Sequence, residues 1–182
     1  MNRHAAMQPG LQFSDMKIDE DETEINIADN SFNDTDFVFD INRYRLLEHF
    51  KVGENACRGV SSFIIDNLNH LKSIEIGKLS FTLSSGPIVT RAFTILNCSE
   101  LESIVLHPNN FSDYAHSFNL INLPSLKYLQ IGEVGTYSTN FYKLSFSLKS
   151  SQSLFLLPFR PSQARNCDFR QRSLPIFRHY CV

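Results

Sequence analysis

The sequence predicts a right-handed, β-rich solenoid of about five to six coils with a parallel strand ladder, and two observations lead to this fold class. First, five stretches of 15 residues align with one another without gaps. Second, the end of each stretch alternates between apolar and polar side chains, which is typical of a strand with one buried face. Because every stretch sends this strand in the same direction, the strands are expected to pair in parallel through right-handed crossings.

The five stretches, called units one to five below, share fixed apolar positions. Each begins with Phe, has Leu as its ninth residue and carries apolar residues at its third, twelfth and fourteenth positions. With 42% apolar residues in the chain, twenty-five apolar residues at twenty-five positions would arise by chance with a probability on the order of 10⁻⁹. Each unit can bury these side chains only against its neighbours, so they are expected to form one continuous core. The units are residues 39–53, 63–77, 93–107, 118–132 and 146–160.

The regions around the units are less regular. Ile25 and Ile27 match the second half of a unit, but Glu22 stands where Leu is expected. This is typical of a degenerate terminal repeat. The extra residues 84–87 and 135–140 are rich in small and turn-forming side chains and are predicted to be loops. The first half of each unit, Phe-x-Ile or Phe-x-Leu, is predicted to form either a second short strand or a helical turn. Glycines are expected where the chain turns after the main strand, at Gly53, Gly77 and Gly132.

Segments 97–106 (NCSELESIVL) and 122–131 (NLPSLKYLQI) resemble leucine-rich repeats, most closely the irregular, Phe-rich variety found in microbes and single-celled eukaryotes. The resemblance covers roughly residues 22–160. It departs from the commonest form because the familiar Asn three residues after the strand is absent, while an Asn stands four residues before the Leu at Asn67, Asn97 and Asn122. The resemblance implies a stack that binds partners on its strand face, and it brings no catalytic residues.

Charge divides the chain into three parts. Residues 1–20 are predicted to be an acidic, loosely ordered lead-in, residues 21–160 the leucine-rich-repeat-like solenoid, and residues 161–182 a basic segment. Residues 1–40 contain ten acidic residues against two basic ones, whereas residues 160–182 contain five Arg against one Asp. The basic segment is predicted to be either an irregular tail or a cap on the open end of the stack.

The chain shows no motif for a phosphate cradle, a zinc protease site or a nucleophile elbow, so neither catalysis nor a cofactor is predicted. No apolar run is long enough to span a membrane, and the start lacks the apolar core of a secretory signal. The expected location is therefore intracellular, in the cytoplasm. Cys57 and Cys98 take repeat positions filled elsewhere by Phe or Leu and are expected to be buried.

Two groups of polar residues raise the question of a metal site. His107, Asp113 and His116 fall in one segment, but no further carboxylate or Cys lies close in sequence, so a solvated loop is the preferred interpretation. The acidic run 19–24 lacks the spacing and the turn Gly of a calcium loop and is interpreted as a solvated surface. No metal is therefore predicted.

The remaining candidate site is the outward face of the strand ladder, which is predicted to bind a protein partner. Five strands at about 4.8 Å each span only about 24 Å, so a transient complex is expected. The alternative is nucleic-acid binding by the Arg-rich segment, which is disfavoured because its Arg residues are scattered among Pro and Ser. In unit five the same positions of the face are Leu156 and Pro158. A flanking column, made of the residue just before the strand in units one to four, consists of Glu48, Lys72, Glu102 and Lys127. The predicted binding residues are His49, Lys51, Ser73, Glu75, Ser103, Val105, Tyr128 and Gln130.

Overall fold

A computed structural model describes residues 18–33, 39–60, 62–83, 91–133 and 138–141, together with the backbone of three later strands. The predicted lead-in up to residue 17, residues 84–90, which include the predicted loop 84–87, and most of the basic segment lie outside the described residues. Strands and turns make up the described part of the chain, which contains no helix. The strands are β1 (Glu24–Ile27), β2 (His49–Val52), β3 (Ser62–Asp66), β4 (Ser73–Ile76), β5 (Ala92–Leu96), β6 (Ser103–Leu106), β7 (Ser117–Ile121), β8 (Tyr128–Ile131), β9 (Phe146–Ser150), β10 (Phe155–Leu156) and β11 (Cys167–Gln171).

The larger sheet confirms the predicted parallel strand ladder. Its strands run in the order β1-β2-β4-β6-β8-β10, and every neighbouring pair is parallel. Side chains in the first five of these strands alternate between buried and more exposed, as a period of two residues requires. Equivalent positions of successive units pair with one another, as in the buried row Ile25, Phe50, Ile74, Ile104 and Leu129.

The first half of the unit was predicted to be either a short strand or a helical turn. It is a strand, and these strands form a second parallel sheet. This smaller sheet has the order β3-β5-β7. Strand β9 lies beside β7, and β11 pairs with β9 in parallel, so the basic segment contributes a strand. In unit one the corresponding residues 39–41 are not a strand. Instead the Asn42 side chain bonds to β3, accepting from the Asp66 amide at 2.8 Å and donating to the Ile64 carbonyl at 3.1 Å.

One apolar core joins the two sheets. All twenty predicted core positions of units one to four are buried within it. The first residues of these units stack ring on ring, with centroids 5.2 Å apart for Phe39 and Phe63, 4.8 Å for Phe63 and Phe93, and 4.9 Å for Phe93 and Phe118. A second column, Phe81 to Phe111 to Phe141, stacks at 4.9 and 5.3 Å and meets the first column edge to face.

Residues with left-handed backbone recur at fixed places in the units. They explain why Asn recurs four residues before the conserved Leu of the unit. Asn67, Asn97 and Asn122 have φ of 57°, 55° and 53° at the turn that follows each strand of the smaller sheet. Asn tolerates this conformation better than other residues with a Cβ, because its short side chain bonds locally. A second column with positive φ begins the return to the smaller sheet and consists of Phe32, Cys57, Phe81, Phe111 and Phe141.

Buried polar side chains tie each turn to the unit before it. The Asn110 side chain accepts from the Ser80 amide and donates to the Ile76 carbonyl, both at 2.9 Å. Asn140 bonds in the same way to the Asn109 amide and the His107 carbonyl, again at 2.9 Å. These side chains supply hydrogen bonds to backbone amides and carbonyls where the strands have ended, as buried backbone groups require.

Two of the three predicted turn glycines are required for a different reason than the one expected. Only Gly132 has a positive φ, at 80°. At Gly77 an added Cβ would lie 2.6 Å from the carbonyl carbon of Gly53 and 2.8 Å from the amide nitrogen of Glu54, and Gly53 meets the backbone of the preceding turn in the same way. The glycines are therefore needed because successive turns approach each other closely.

The predicted register of unit five is wrong by one residue. The alignment places Leu157 in the buried row and Leu156 on the outward face, but Leu156 pairs with the buried Leu129, and Phe155 pairs with Tyr128. Residues 155–157 are all apolar, so alternation does not specify which of them faces inward. Leu156 therefore takes the register position of the buried row, not an outward position, and Pro158 lies outside the described residues.

Candidate functional site

The outward side of the larger sheet, called the strand face below, carries all eight predicted binding residues. Strand pairing arranges them in two straight rows, one for each outward position of a strand. Strand β1 extends the rows with Glu24 and Asn26, which sequence reasoning missed because Glu22 obscured the start of the repeat. The signal that could have located them is that the apolar Ile25 and Ile27 alternate with the polar Glu24 and Asn26. The rows are Glu24, His49, Ser73, Ser103 and Tyr128, and Asn26, Lys51, Glu75, Val105 and Gln130.

Charged and polar groups pair across strands β2 and β4. Nδ1 of His49 lies 2.8 Å from Oγ of Ser73, and Nζ of Lys51 lies 3.1 Å from Oε2 of Glu75. The side chains of Lys51 and Glu75 remain 57% and 44% exposed, so a partner can reach both. These contacts join four of the predicted residues in two cross-strand pairs.

Glu75 is the centre of a three-residue charge cluster. Besides Lys51 it faces His107, whose Nε2 lies 3.5 Å from Oε1 of the carboxylate. Partial burial raises the pKa of Glu75, but the hydrogen bond and charge of Lys51, together with His107, outweigh it and hold the pKa below its ordinary value. Sequence reasoning did not place His107 on the strand face, because this residue takes the position that units one, two and four give to Gly.

The other end of the strand face is less charged. The hydroxyl of Tyr128 donates to Oε1 of Gln130 at 2.8 Å, and Nε2 of Gln130 donates to the Gly132 carbonyl at 3.0 Å. Val105 lies between Glu75 and Gln130 in its row, with Ser103 on the same strand. The strand face thus has a charged end at β2 and β4, and an end with an aromatic ring and a Val at β6 and β8.

The flanking column forms two cross-strand ion pairs. Nζ of Lys72 lies 2.7 Å from Oε2 of Glu48, and Nζ of Lys127 lies 2.8 Å from Oε1 of Glu102. The hydrogen bond between Lys72 and Glu48 lowers the pKa of the carboxyl and raises the pKa of the amine. The pairs are solvated, so they add little stability. Their alternating charges leave the border of the strand face close to neutral.

The three residues considered as metal ligands do not come together. His107 faces Glu75, whereas Asp113 pairs with Arg91 at 3.3 Å, and Arg91 lies over the ring of Tyr114 at 5.7 Å. Across the described residues no group of three or more His, Cys, Asp or Glu is placed to hold a metal. The Arg91 side chain is buried, so this cluster anchors the chain at the start of β5.

The two predicted buried cysteines are buried. Cys57 and Cys98 are free thiols within the core cluster. Burial raises the pKa of Cys98 to about 11 and that of Cys57 further, which keeps both thiols protonated and poorly nucleophilic.

Comparison with family models, with curated proteins and with solved structures gives no match. In the described part of the chain, no helix has the length and apolar character needed to cross a membrane. Any functional conclusion therefore depends on the residues and geometry of the chain itself.

Proposed function

We propose that the chain is a leucine-rich-repeat-like solenoid that serves as a non-catalytic protein-interaction module and binds its partner on the strand face. The observation that carries this proposal is the alignment of ten outward side chains in two rows across five parallel strands. The recurrence of the same buried, turn and glycine positions in successive units supports the solenoid.

The contacts within the strand face favour recognition of a folded protein surface. The side chains of Lys51, Glu75 and His49 already contact neighbours across the strands, which would reduce the conformational entropy lost on binding. Fixed charges at one end would set the orientation of the partner, and Tyr128 with Val105 would supply contact area at the other. The strand face is small, so the complex is expected to be transient.

The proposal is tested by capturing partners with the wild-type chain and with a variant that carries Glu75→Ala and Tyr128→Ala. Proteins that bind the strand face should be recovered with the wild type and lost with this variant. A matched control carries Thr94→Ala and Asn119→Ala on the outer side of the smaller sheet, and it should retain every partner. Equal recovery with all three proteins would contradict the proposal.

Nucleic-acid binding by the basic segment stays the alternative. It predicts a salt-sensitive affinity for single- or double-stranded DNA or RNA, because each Arg that contacts a phosphate releases counterions. Replacing Arg165, Arg170 and Arg172 by Gln would abolish that affinity and leave capture on the strand face unchanged.

A further inference from the structure

Strand β1 is an edge of the larger sheet, and none of the described strands pairs with its outer side. The carbonyls of Thr23 and Ile27 accept hydrogen bonds from the chain at β2. Successive residues of a strand turn their backbone groups to opposite sides, so the amides and carbonyls of Glu24 and Asn26 point away from β2. A row of donors and acceptors in this position is a template for one more strand.

The corresponding edge of the smaller sheet is closed by a side chain. There the amide group of Asn42 bonds to both the carbonyl of Ile64 and the amide of Asp66, and so takes the place of a neighbouring strand. At β1 the side chain of Asn26 instead donates to Oε1 of Glu24 at 2.9 Å, along its own strand. Of these two edges, only that of the larger sheet therefore offers its backbone groups to an added strand.

The charges around β1 decide between two kinds of added strand. Residues 18–33 contain six Asp and Glu and no Lys, Arg or His, and all six acidic residues are exposed. One of them, Glu20, faces Arg43 at 3.3 Å. A second copy that approached through its own β1 would bring six more carboxylates to the contact, and like charges on neighbouring strands oppose pairing. A basic strand is attracted instead.

The existing sheet shows how a basic strand would be recognised. Lys51 in β2 lies opposite Glu75 in β4, and Nζ is 3.1 Å from Oε2. Glu24 is the outermost residue of the other outward row, so an added strand would place a residue beside it at about 4.8 Å, one strand spacing. A Lys or Arg in that place would form the same kind of cross-strand pair with the Glu24 carboxylate.

We propose that the β1 edge binds an extended, basic segment of a partner protein as an additional strand, with a Lys or Arg opposite Glu24. Backbone hydrogen bonds to Glu24 and Asn26 supply the pairing, and the surrounding carboxylates select for positive charge. The contact uses the edge of the larger sheet, so it does not require the strand face to be occupied.

A labelled peptide in which Lys and Thr alternate over about six residues, a typical strand length, tests this site by fluorescence anisotropy with the full chain. At about 50 mM salt the peptide should bind, and at about 500 mM its affinity should fall about tenfold or more, since the attraction is screened. A peptide with Glu in place of Lys should not bind. Absence of binding by the Lys peptide, or equal binding by both peptides, would overturn the proposal.

Two N-methylated peptides of the same charge separate strand pairing from attraction alone. One carries its methyl groups on the Lys amides and the other on the Thr amides. In an added strand only one of these two sets of amides points towards β1, so one peptide should keep its affinity and the other should lose it. Equal affinities of the two would show that charge alone holds the peptide, and would overturn the strand-edge contact.

Variants of the protein test the same contact from the other side. Asn26→Pro removes the amide proton that points away from β2 and should weaken peptide binding about two- to tenfold, whereas Asn26→Ala retains that proton and should bind like the wild type. Glu24→Gln should weaken binding by up to about fivefold. Circular dichroism verifies that the variants are folded, and equal affinities of folded Asn26→Pro and Asn26→Ala would contradict the proposal. If Asn26→Pro does not fold, the methylated peptides decide.

The double variant Glu75→Ala and Tyr128→Ala distinguishes this site from the strand face. It should bind the Lys peptide like the wild type, because neither residue lies on β1. Loss of peptide binding in this variant would place the peptide on the strand face and overturn the edge site, while leaving the proposed function intact.

Discussion

Replacing Gly77 by Ala should destabilise the protein strongly, although φ at this position is not in the left-handed region. Where space is available, Gly→Ala stabilises a protein by about 0.4–1 kcal/mol, because it restricts the unfolded chain. At Gly77 the new Cβ would lie 2.6 and 2.7 Å from the carbonyl carbon and oxygen of Gly53, and 2.8 Å from the nitrogen of Glu54. All three atoms are backbone, so they cannot rotate away. The two turns must move apart instead.

The cost can be estimated from what this movement disturbs. Overpacking of a close contact costs about 1–3 kcal/mol. The same movement stretches the hydrogen bond from the Gly77 amide to the Val52 carbonyl, which is 2.8 Å long, and that from Asn55 to the Lys78 carbonyl, which is 2.7 Å long. Losing the equivalent of one such bond adds about 0.5–1.5 kcal/mol. We therefore expect Gly77→Ala to lower the free energy of unfolding by about 2–4 kcal/mol.

Urea denaturation followed by circular dichroism measures this change as a lower midpoint with an unchanged slope. His107→Ala is the matched control, because His107 takes the same position in the next unit and already carries a Cβ. Its substitution removes one partly exposed contact with Glu75 and should change stability by less than about 0.5 kcal/mol. A Gly77→Ala protein at least as stable as the wild type would refute the close approach of the turns.

Three further substitutions test the core, the buried polar ladder and the charge cluster. Asn110→Ala leaves the Ser80 amide and a carbonyl without partners and should cost about 2–4 kcal/mol in urea denaturation, a prediction that fails if the loss is below about 1 kcal/mol. Phe93→Ala opens a cavity between two stacked rings and should cost about 3–5 kcal/mol by the same assay, whereas a change below about 1 kcal/mol would show that Phe93 is not a core residue. The pKa of Glu75 is lowered in the folded protein, so its contribution is present above the ordinary value of 4.5 and is lost as the pH falls through the lowered pKa. Lys51→Met should therefore be less stable than the wild type at neutral pH, by less than about 1 kcal/mol because the pair is exposed, and the difference should shrink as the pH falls below 4.5; a difference that stays constant over that fall would contradict this assignment.

The alternating core positions could be predicted from the sequence because burial on one face of a strand leaves a period of two residues. The same alternation placed the eight residues of the strand face correctly, since each lies next to a buried neighbour. Prediction failed at unit five, where three successive apolar residues remove the period and the register shifts by one. It also missed Glu24 and Asn26, because unit one is preceded by a half unit without its Leu.

Features that depend on the approach of one unit to the next could not be predicted. In the sequence, Gly53 and Gly77 look like ordinary turn glycines. Only the positions of the neighbouring turns show that a Cβ has no room there. The partners of Asn110 and Asn140 lie 30 to 34 residues earlier in the chain, at separations that change with loop length. Likewise, His107 reaches Glu75 only because their strands are adjacent.

Distances between spin labels on the strand face would show whether the units are stacked in register. Cysteines for labelling would replace Glu24 together with one residue of the same row, Ser73, Ser103 or Tyr128, in a background without the native cysteines. Because each strand adds about 4.8 Å, the backbone separations should increase in equal steps, to about 10, 14 and 19 Å. Separations that do not increase in this order, or that do not differ by about one strand spacing, would contradict the stacking of the units on which the proposed function depends.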